Sequence, residues 1–524
     1  MLAALAIIGA PFVPSMDQLR PFAAEAWLVC TIVTVLLAPF FTRRANFVCG
    51  GIALVGVLFA LATLVFIGCG PEVVGEHFRG MLLFDPVAFF WKIILLTFVA
   101  GVIVMWFATT AGTLHEGDGP EFFTLLLGAT LGMCLMASTS NLLMILMSVE
   151  LASLPSYVMA GFRKTHRIGA EASLKYVLFG AVTSATMAYG LSILYGLYGS
   201  LQLQDLAAAM TTSTTGSALL VVAIFGLIVG IGFKISAVPF HFWCPDVFEG
   251  ASIDVTTFLS VASKGAGLIL LLRVVETIGN ASGFARTPAL TALAAVIGVL
   301  GAVTATVGNT AAFVQTNIKR LLAYSSIAHA GYMLCAVSLL VKSASAQPGF
   351  IPAGAAAQAI LLYLAVYAFM NLGAFTVAAL VWRQSGGGET LEHFRALGRR
   401  SPVLAACMFC CMVSLIGLPP FAGFGAKLNV LWALFQNGGA WWALIIVIGL
   451  NTIVSAFYYF RVLRAMYLET STAGPISPNP LGMMVSVTCA AVLLLLFFGF
   501  GSLSRIATNY SQLYLSGPTV ASAK

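Results

Sequence analysis

Apolar segments, each about the 20 residues needed to cross a membrane as a helix, recur along the whole chain. Of the 524 residues, 60% are hydrophobic and 8% are charged, whereas soluble domains carry about 25% charged residues. A water-soluble protein of this size could not bury so much apolar surface. The pattern therefore predicts one integral membrane domain, and no soluble domain or long polar linker interrupts it.

Fourteen apolar spans can be placed, which predicts an all-α membrane protein of about fourteen transmembrane helices. Within the single membrane domain, residues 1–121 hold helices 1–3, residues 122–276 and 277–470 hold two five-helix repeats, and residues 471–524 hold the last helix and tail. The predicted spans are residues 22–41, 47–69, 87–107, 122–137, 141–161, 170–198, 217–240, 256–272, 289–307, 321–340, 355–381, 402–435, 441–460 and 481–500.

Two of these spans cannot be uninterrupted helices. Span 402–435 would be about 51 Å long if it were straight, at about 1.5 Å per residue, and it contains Gly417-Leu-Pro-Pro. The seventh span carries Pro239 shortly after Lys234, and proline removes a backbone donor and kinks a helix. Broken helices at corresponding positions of two halves mark the site of inverted-repeat transporters. We therefore predict two inverted five-helix repeats in which helices 7 and 12 are broken.

The distribution of lysine and arginine predicts the orientation, because both residues accumulate in short cytoplasmic loops. With the N-terminus outside, thirteen basic residues face inward and seven face outward, so both termini should lie on the periplasmic side of a bacterial inner membrane. Residues 1–14 have no positive charge ahead of them, which argues against a cleaved signal. The inner residues are Arg43, Arg44, Arg163, Lys164, Arg167, Lys319, Arg320, Arg383, Arg395, Arg399, Arg400, Arg461 and Arg464, and the outer ones are Arg20, Arg79, Arg273, Arg286, Lys342, Arg505 and Lys524.

Ionisable residues inside the apolar spans are the main functional signal. Lys92 lies near one end of its span, where we expect its side chain to reach the interface. Each lysine at mid-membrane costs about 2.5 to 3.5 kcal/mol, so the other four cost about 10 to 14 kcal/mol together. A purely structural chain has little use for them. These four lysines are Lys175, Lys234, Lys264 and Lys427.

A row of such groups predicts a proton relay. Burial disfavours the ammonium form of a lysine, and a nearby carboxylate favours it. Glu150 is the only acidic residue that we place deep in a span, so we expect it to pair with Lys234 and Lys175 to compete for the same carboxylate. Lys264 would then pass the proton toward Lys427. A static ion pair, or a side chain that reaches the interface, remains the alternative for each lysine.

Three further residues have two interpretations each. His241 follows the break at Pro239, and His329 lies in the tenth span; either could carry protons or be a hydrogen-bonded packing residue. Lys319, just before the tenth span, could join the relay or anchor the helix on the inner side.

Cysteine usage gives no sign of a metal or iron–sulfur site. The ten cysteines are scattered, and the one cluster is Cys407, Cys410 and Cys411 in an apolar stretch. An iron–sulfur cluster needs four converging ligands, so we interpret these side chains as small packing residues. We expect no cofactor in this chain.

Four motifs resemble a known family. They are VELASLPSYVMAGFR at 149–163, FKISAVPFHFW at 233–243, PDVFEG at 245–250 and QTNIKRLLAYSSIAHAGY at 315–332. They are similar to subunit N of respiratory NADH:quinone oxidoreductase (complex I), an antiporter-like proton-channel family. The likeness runs from about residue 122 to 469.

The resemblance implies an antiporter-like fold with a hydrophilic axis at mid-membrane. It assigns Glu150 to the essential glutamate of helix five, and it assigns the four lysines to the relay positions of helices six, seven, eight and twelve. It also implies that NADH, flavin, iron–sulfur clusters and quinone belong to other subunits. One departure is Asp254, which stands where the family has a Pro-Thr-Pro run and introduces a carboxylate near the cytoplasmic face, at a possible proton entrance.

The resemblance implies a non-redox subunit of a proton-translocating NADH:quinone oxidoreductase, a translocase of the respiratory chain. Its expected partners are the other membrane subunits of the complex, including neighbouring antiporter-like subunits, and the lipid bilayer, with no nucleic acid. The alternative is a subunit of a multisubunit cation/proton antiporter, which shares this fold and the buried lysines. A passive scaffold is opposed by the cost of the buried charges.

Overall fold

A computed structural model of the chain describes residues 14–42, 45–70, 72–111, 118–163, 167–212, 217–279, 288–341, 345–501, 504–505 and 507–508. It is almost entirely helical, and a helix or a pair of half-helices lies at each predicted span, which confirms the predicted fold class. The helices are α1 Met16–Phe40, α2 Ala45–Ile67, α3 Pro86–Thr109, α4 Gly119–Ser138, α5 Leu142–Ala160, α6 Arg167–Tyr198, α7a Ser217–Ile235, α7b Trp243–Gly250, α8 Ile253–Gly279, α9 Pro288–Ala312, α10 Ile318–Val337, α11 Pro352–Gln384, α12a Pro402–Ile416, α12b Ala422–Asn437, α13 Trp442–Tyr467 and α14 Pro480–Phe498.

Twelve helices in the described part of the chain are long and apolar enough to cross a membrane. The other two predicted spans are α10, which begins beside Lys319 and Arg320, and the divided α12. Residues 1–13 and six of the basic residues used for the orientation lie outside the described residues, and the orientation stays a prediction. Those six are Arg43, Arg44, Lys164, Arg286, Lys342 and Lys524.

Several short elements were not predicted from the sequence. A short helix, Leu203–Thr212, follows α6. Strands β1 Gly75–His77 and β2 Leu82–Phe84 form an antiparallel hairpin between α2 and α3. Helix α3 begins directly after the hairpin, at Pro86, one residue before the predicted span.

Local sequence fixes where several helices begin. Asp85 precedes α3 and accepts a 2.8 Å hydrogen bond from the Ala88 amide. Asn141 and Asn317 cap α5 and α10 in the same way. Proline stands at the start of α3, α11, α12a and α14. The N–H groups of the first turn have no acceptor within the helix, so the N–H group that proline lacks is not needed there.

Helices 7 and 12 are broken at the predicted places. Helix α7a ends at Ile235, Ser236 follows with φ 63°, and α7b begins only at Trp243. Helix α12a ends at Ile416, and Gly417 adopts φ 85°, a left-handed conformation that favours glycine.

Helix α8 contains a third irregularity. Residues Leu259–Ser263 form a π-helical turn that ends directly before Lys264. Single π-helical turns occur frequently at functional sites. Helices α8 and α11 are buried along almost their whole length and form the centre of the bundle.

Helix pairs in the two predicted repeats pack alike. Helix α4 packs on α5 and α6 on α7a, and in the same order α9 packs on α10 and α11 on α12b. This correspondence agrees with two five-helix units, whose boundaries remain a prediction.

Candidate proton-transfer site

Four predicted site residues are buried in the interior of the bundle. They are Lys234 on α7a, Lys264 on α8, His329 on α10 and Lys427 on α12b. Each lies at or near a helix break, the π-helical turn, or a cluster of tyrosine hydroxyl groups. The fold therefore places cationic and titratable groups from both predicted repeats along one interior region.

Lys234 lies next to the break in helix 7 and faces α5. Its ammonium group donates a 3.0 Å hydrogen bond to the hydroxyl of Ser153, which in turn donates to the carbonyl oxygen of Val149. Ser153 lies one helical turn beyond Glu150. Glu150 acts electrostatically on Lys234, but these two described residues form no ion pair. The buried Oε1 atom of Glu150 accepts no hydrogen bond from the described residues. The predicted direct contact is thus absent from this structure, because Ser153 holds the ammonium group.

Lys264 follows the π-helical turn and contacts helix α7b. Its ammonium group lies 3.3 Å from the Sγ atom of Cys244 and 5.7 Å from the centre of the Phe248 ring. His241 lies in the break between α7a and α7b, is buried, and interacts electrostatically with Lys264. The neighbouring Ser263 hydroxyl lies 3.4 Å from the carbonyl oxygen of Lys234. The turn therefore connects the positions of two lysines.

Lys427 lies next to the break in helix 12. Its ammonium group donates a 2.7 Å hydrogen bond to the carbonyl oxygen of Ile416, the last residue of α12a. It also lies 4.9 Å from the centre of the Tyr332 ring. A carbonyl oxygen and an aromatic face stabilise a cation without neutralising its charge.

His329 is buried and interacts electrostatically with both Lys264 and Lys427. Its Nδ1 atom shares a 2.7 Å hydrogen bond with the hydroxyl of Tyr363, and its Nε2 atom lies 3.3 Å from the hydroxyl of Tyr459. The Tyr459 hydroxyl is in turn hydrogen-bonded to Ser325. Hydroxyl and imidazole groups both donate and accept protons, so this cluster can carry a proton between the two lysines.

The prediction that Lys175 competes for the carboxylate of Glu150 is wrong. The Lys175 side chain is 40% exposed and pairs with Glu171 and Asp246, both at 2.9 Å. It lies two turns after the start of α6 and faces α7b, so it does not compete for Glu150. Asp246 also pairs with Arg320 at 3.0 Å, which joins α6, α7b and α10 in one surface ion-pair network.

Lys319 lies at the start of α10, at the predicted cytoplasmic end of the bundle. Its ammonium group lies 2.6 Å from a carboxylate oxygen of Glu389 and donates to the carbonyl oxygen of Ala251. A cavity of about 600 Å³ lies beside it and is also lined by Arg163 and Glu249. Lys319 is thus fixed at a polar cavity outside the central row.

Asp254 is buried next to this cavity. The hydroxyl of Thr110 donates a 3.3 Å hydrogen bond to its carboxylate, and Arg163 acts on it electrostatically. The neighbouring Ser252 and Ile253 line the cavity. A role of Asp254 at a proton entrance remains a prediction.

Residues 139–453 match the family described as NADH:quinone oxidoreductase/Mrp antiporter, TM. This match covers more than half of the chain. The chain belongs to this family. A relative named NADH-quinone oxidoreductase subunit N, from Anaeromyxobacter sp. (strain Fw109-5), is 40% identical over 515 residues, which cover 93% of this chain and 96% of the relative. The resemblance seen in the four motifs is thereby confirmed.

Two solved structures have the same fold as this chain. A chain of respiratory complex I from Thermus thermophilus with bound aureothin is 30% identical, with a TM-score of 0.73, over 93% of this chain and 99% of that chain. A chain of the Mrp complex from Dietzia sp. DQ12-45-1b is 16% identical, with a TM-score of 0.75, over 96% and 99%. The second likeness shows the fold alone.

The segment that matches the NADH:quinone oxidoreductase/Mrp antiporter family contains every site residue predicted from the sequence, whereas helices α1–α3 lie before it. Sequence reasoning missed the neutral partners of the buried cations, namely Ser153, Tyr332, Tyr363 and Tyr459. Only the packing of one helix on another brings these hydroxyl and ring groups to the lysines and His329.

The prediction for Lys92 is also wrong. Its side chain is completely buried, and its ammonium group lies 2.6 Å from a carboxylate oxygen of Glu25 on α1. Glu150 is therefore not the only acidic residue within a span; the position of Glu25 inside the first apolar span was the available signal. Among the described residues, no group of three His, Cys, Asp or Glu side chains has the arrangement of a metal site.

Proposed function

We propose that this chain is a proton-translocating membrane subunit of an NADH:quinone oxidoreductase, equivalent to subunit N. Electron transfer from NADH to quinone takes place in other subunits of that assembly, and this chain converts the coupled conformational change into proton movement. The 40% identity to a relative named subunit N, over nearly the full length of both chains, supports this assignment.

The observation that carries the proposal is the chemistry around Lys264 and Lys427. Both side chains are buried, and within the described residues neither forms an ion pair. Their ammonium groups contact a thiol, a backbone carbonyl oxygen and aromatic faces. A buried cation without a permanent counter-charge changes its protonation state when its surroundings change, and such groups within membranes mark proton and ion pathways.

The residues define a sequence of proton positions. Lys234 holds a proton while its ammonium group contacts Ser153 and is stabilised by the negative charge of Glu150. Release from Lys234 delivers the proton toward Lys264, across the π-helical turn of α8. The imidazole of His329, which interacts electrostatically with both Lys264 and Lys427, passes the proton on with the help of its tyrosine hydroxyl partners.

The proposal assigns the redox groups elsewhere. NADH, flavin, iron–sulfur clusters and quinone bind other subunits, and this chain alone has no redox activity. Its partners are the other membrane subunits of the complex, including antiporter-like neighbours. It resides in a bacterial inner membrane with both termini on the periplasmic side, as the distribution of basic residues indicates.

A second candidate is a subunit of a multisubunit cation/proton antiporter. The family description and the fold similarity to a chain of the Mrp complex favour it. The sequence identity to the subunit N relative is much higher than the 16% to the Mrp chain, and we therefore rank the oxidoreductase first.

The test uses inverted membrane vesicles that contain the assembled complex. NADH-driven acidification of the vesicle lumen and NADH:quinone activity are measured for the wild type and for Lys264→Met. We expect the variant to assemble and to lose most acidification. Normal acidification would contradict the proposal, and sodium-driven proton exchange without any NADH response would favour the antiporter.

A further inference from the structure

One buried ion pair lies outside the proton path described above. Lys92 on α3 and Glu25 on α1 approach to 2.6 Å, with side-chain exposures of 0% and 7%. Both residues precede the segment that matches the NADH:quinone oxidoreductase/Mrp antiporter family. The pair therefore needs an explanation of its own.

Contacts between α3 and α8 give the depth of this pair. The two helices run antiparallel, and four contacts fix their register. They are Asp85 with Arg273, Trp91 with Gly265, Met105 with Thr257, and Thr110 with Asp254. Trp91 reaches Gly265 only through the far end of its ring, and the ammonium group of Lys92 lies beside Phe84, which precedes α3. The Glu25–Lys92 pair therefore lies between the level of Lys264 and the start of α3.

The surroundings of the pair differ from those of a structural ion pair. Among the described side chains, neither Lys92 nor Glu25 makes a hydrogen bond beyond their mutual contact. The ammonium group instead lies 4.9 Å from the centre of the Phe22 ring and 5.1 Å from that of Phe84. A buried ion pair is stable only when its remaining protons and lone pairs are hydrogen-bonded, and among the described residues this pair lacks those hydrogen bonds.

A second pair on α3 supplies the comparison. Arg273 contacts Asp85 through two nitrogen–oxygen pairs of 2.9 Å and also donates to the carbonyl oxygen of Ala137. Asp85 additionally accepts from the Ala88 amide. An arginine does not release its proton in proteins, so this well-bonded pair can serve only as a structural clamp. Lysine and glutamate can exchange a proton.

We propose that Glu25 and Lys92 form a further proton-exchanging site, buried between α1 and α3 toward the end of the bundle at which α3 begins. In the exchange an N–H bond of the Lys92 ammonium breaks and an O–H bond forms on the Glu25 carboxylate, which leaves an amine and a carboxylic acid with no change in net charge. The faces of Phe22 and Phe84 stabilise the ammonium form and so oppose this neutralisation. This inference rests on the proposed function.

The decisive variant is Lys92→Arg in the assembled complex. It keeps the positive charge and the contact with Glu25, but it cannot release a proton. We expect the initial rate of NADH-driven vesicle acidification to fall about tenfold, since the pair can no longer exchange a proton. An Arg variant that pumps like the wild type would overturn the proposal, because a structural clamp needs only the charge. Arg273→Lys is the matched control and should pump normally.

Two double variants decide the case if Lys92→Arg fails to assemble. The swapped pair Glu25→Lys with Lys92→Glu retains an exchangeable proton and should pump, whereas Glu25→Met with Lys92→Met should assemble without pumping. Full pumping by the apolar pair, or failure of both double variants to assemble, would overturn the proposal in favour of a clamp. Lys264→Met in the same vesicles separates the two hypotheses, because normal pumping by that variant contradicts the proposed function itself.

Discussion

Lys427 donates a hydrogen bond to the carbonyl oxygen of Ile416, the residue at which α12a ends. The last carbonyl groups of a helix have no partner within that helix, and a cation is stabilised there. The break therefore provides the acceptor that the buried ammonium group needs, and the lysine satisfies a carbonyl that the break exposes. Lys234, one residue before the end of α7a, occupies a comparable place in helix 7.

Replacing Lys427 with methionine should abolish its part in proton movement while preserving side-chain volume. We expect NADH-driven acidification of vesicles to fall at least about tenfold, the usual scale for loss of a proton-transferring group. Arg464→Met is the control, since it removes a positive charge from a side chain that is 71% exposed. Equal rates for the two variants would show that Lys427 is only a structural cation.

Gly423→Ala tests the close packing that closes the break in helix 12. A Cβ atom at this position would lie 1.8 Å from the carbonyl oxygen of Ser414, so α12b would have to move away from α12a. We expect a loss of about 1 to 3 kcal/mol in the free energy of unfolding, as for other overpacked sites. Thermal unfolding of the purified complex measures the effect.

Gly449→Ala is the control for that change. It adds the same methyl group to helix α13, where a Cβ atom would meet no neighbour within 4 Å. Its thermal stability should equal that of the wild type. If both alanine variants unfold at the same temperature, the close contact at Gly423 does not limit stability.

Most of the fold followed from the sequence because the membrane imposes one helix length and one solvent. The breaks were predictable from Pro239 and Gly417, since their backbone effects are local. The partners of the cations were not, because contacts such as those of Lys234 with Ser153 and of Lys92 with Glu25 join residues far apart in sequence. Lys92 was misjudged for the same reason, because its partner Glu25 lies on α1, far from it in the sequence.

Lys175→Met tests whether Lys175 is a surface ion-pair residue, as the structure indicates, or a proton-relay residue, as the motifs predicted. Because the side chain pairs with Glu171 and Asp246 at the surface, its loss should change the acidification rate by less than about twofold, in line with the small energies of exposed ion pairs. Lys234→Met, measured in parallel, should lose most pumping. A Lys175 variant as inactive as the Lys234 variant would return Lys175 to the relay.

Ser153→Ala tests the hydroxyl that holds Lys234. The variant removes the acceptor of a 3.0 Å hydrogen bond from a buried ammonium group. The loss of about 1 kcal/mol, typical of one hydrogen bond, predicts a decrease of about fivefold in the acidification rate. Ser486→Ala on α14 removes another buried hydroxyl and should pump normally. A wild-type rate for Ser153→Ala would show that Lys234 does not depend on this contact.

The central claim is that the charge of Glu150 controls the protonation of Lys234. Glu150→Gln keeps the shape of the side chain and removes its charge, so the complex should assemble, while Glu150→Asp should retain part of the activity. The direct measurement is NADH-driven proton translocation in vesicles that carry the assembled Gln variant. We predict that translocation and the coupled quinone reduction fall together, by about tenfold or more. Full proton translocation by Glu150→Gln would contradict the account and leave Glu150 as a helix-packing residue.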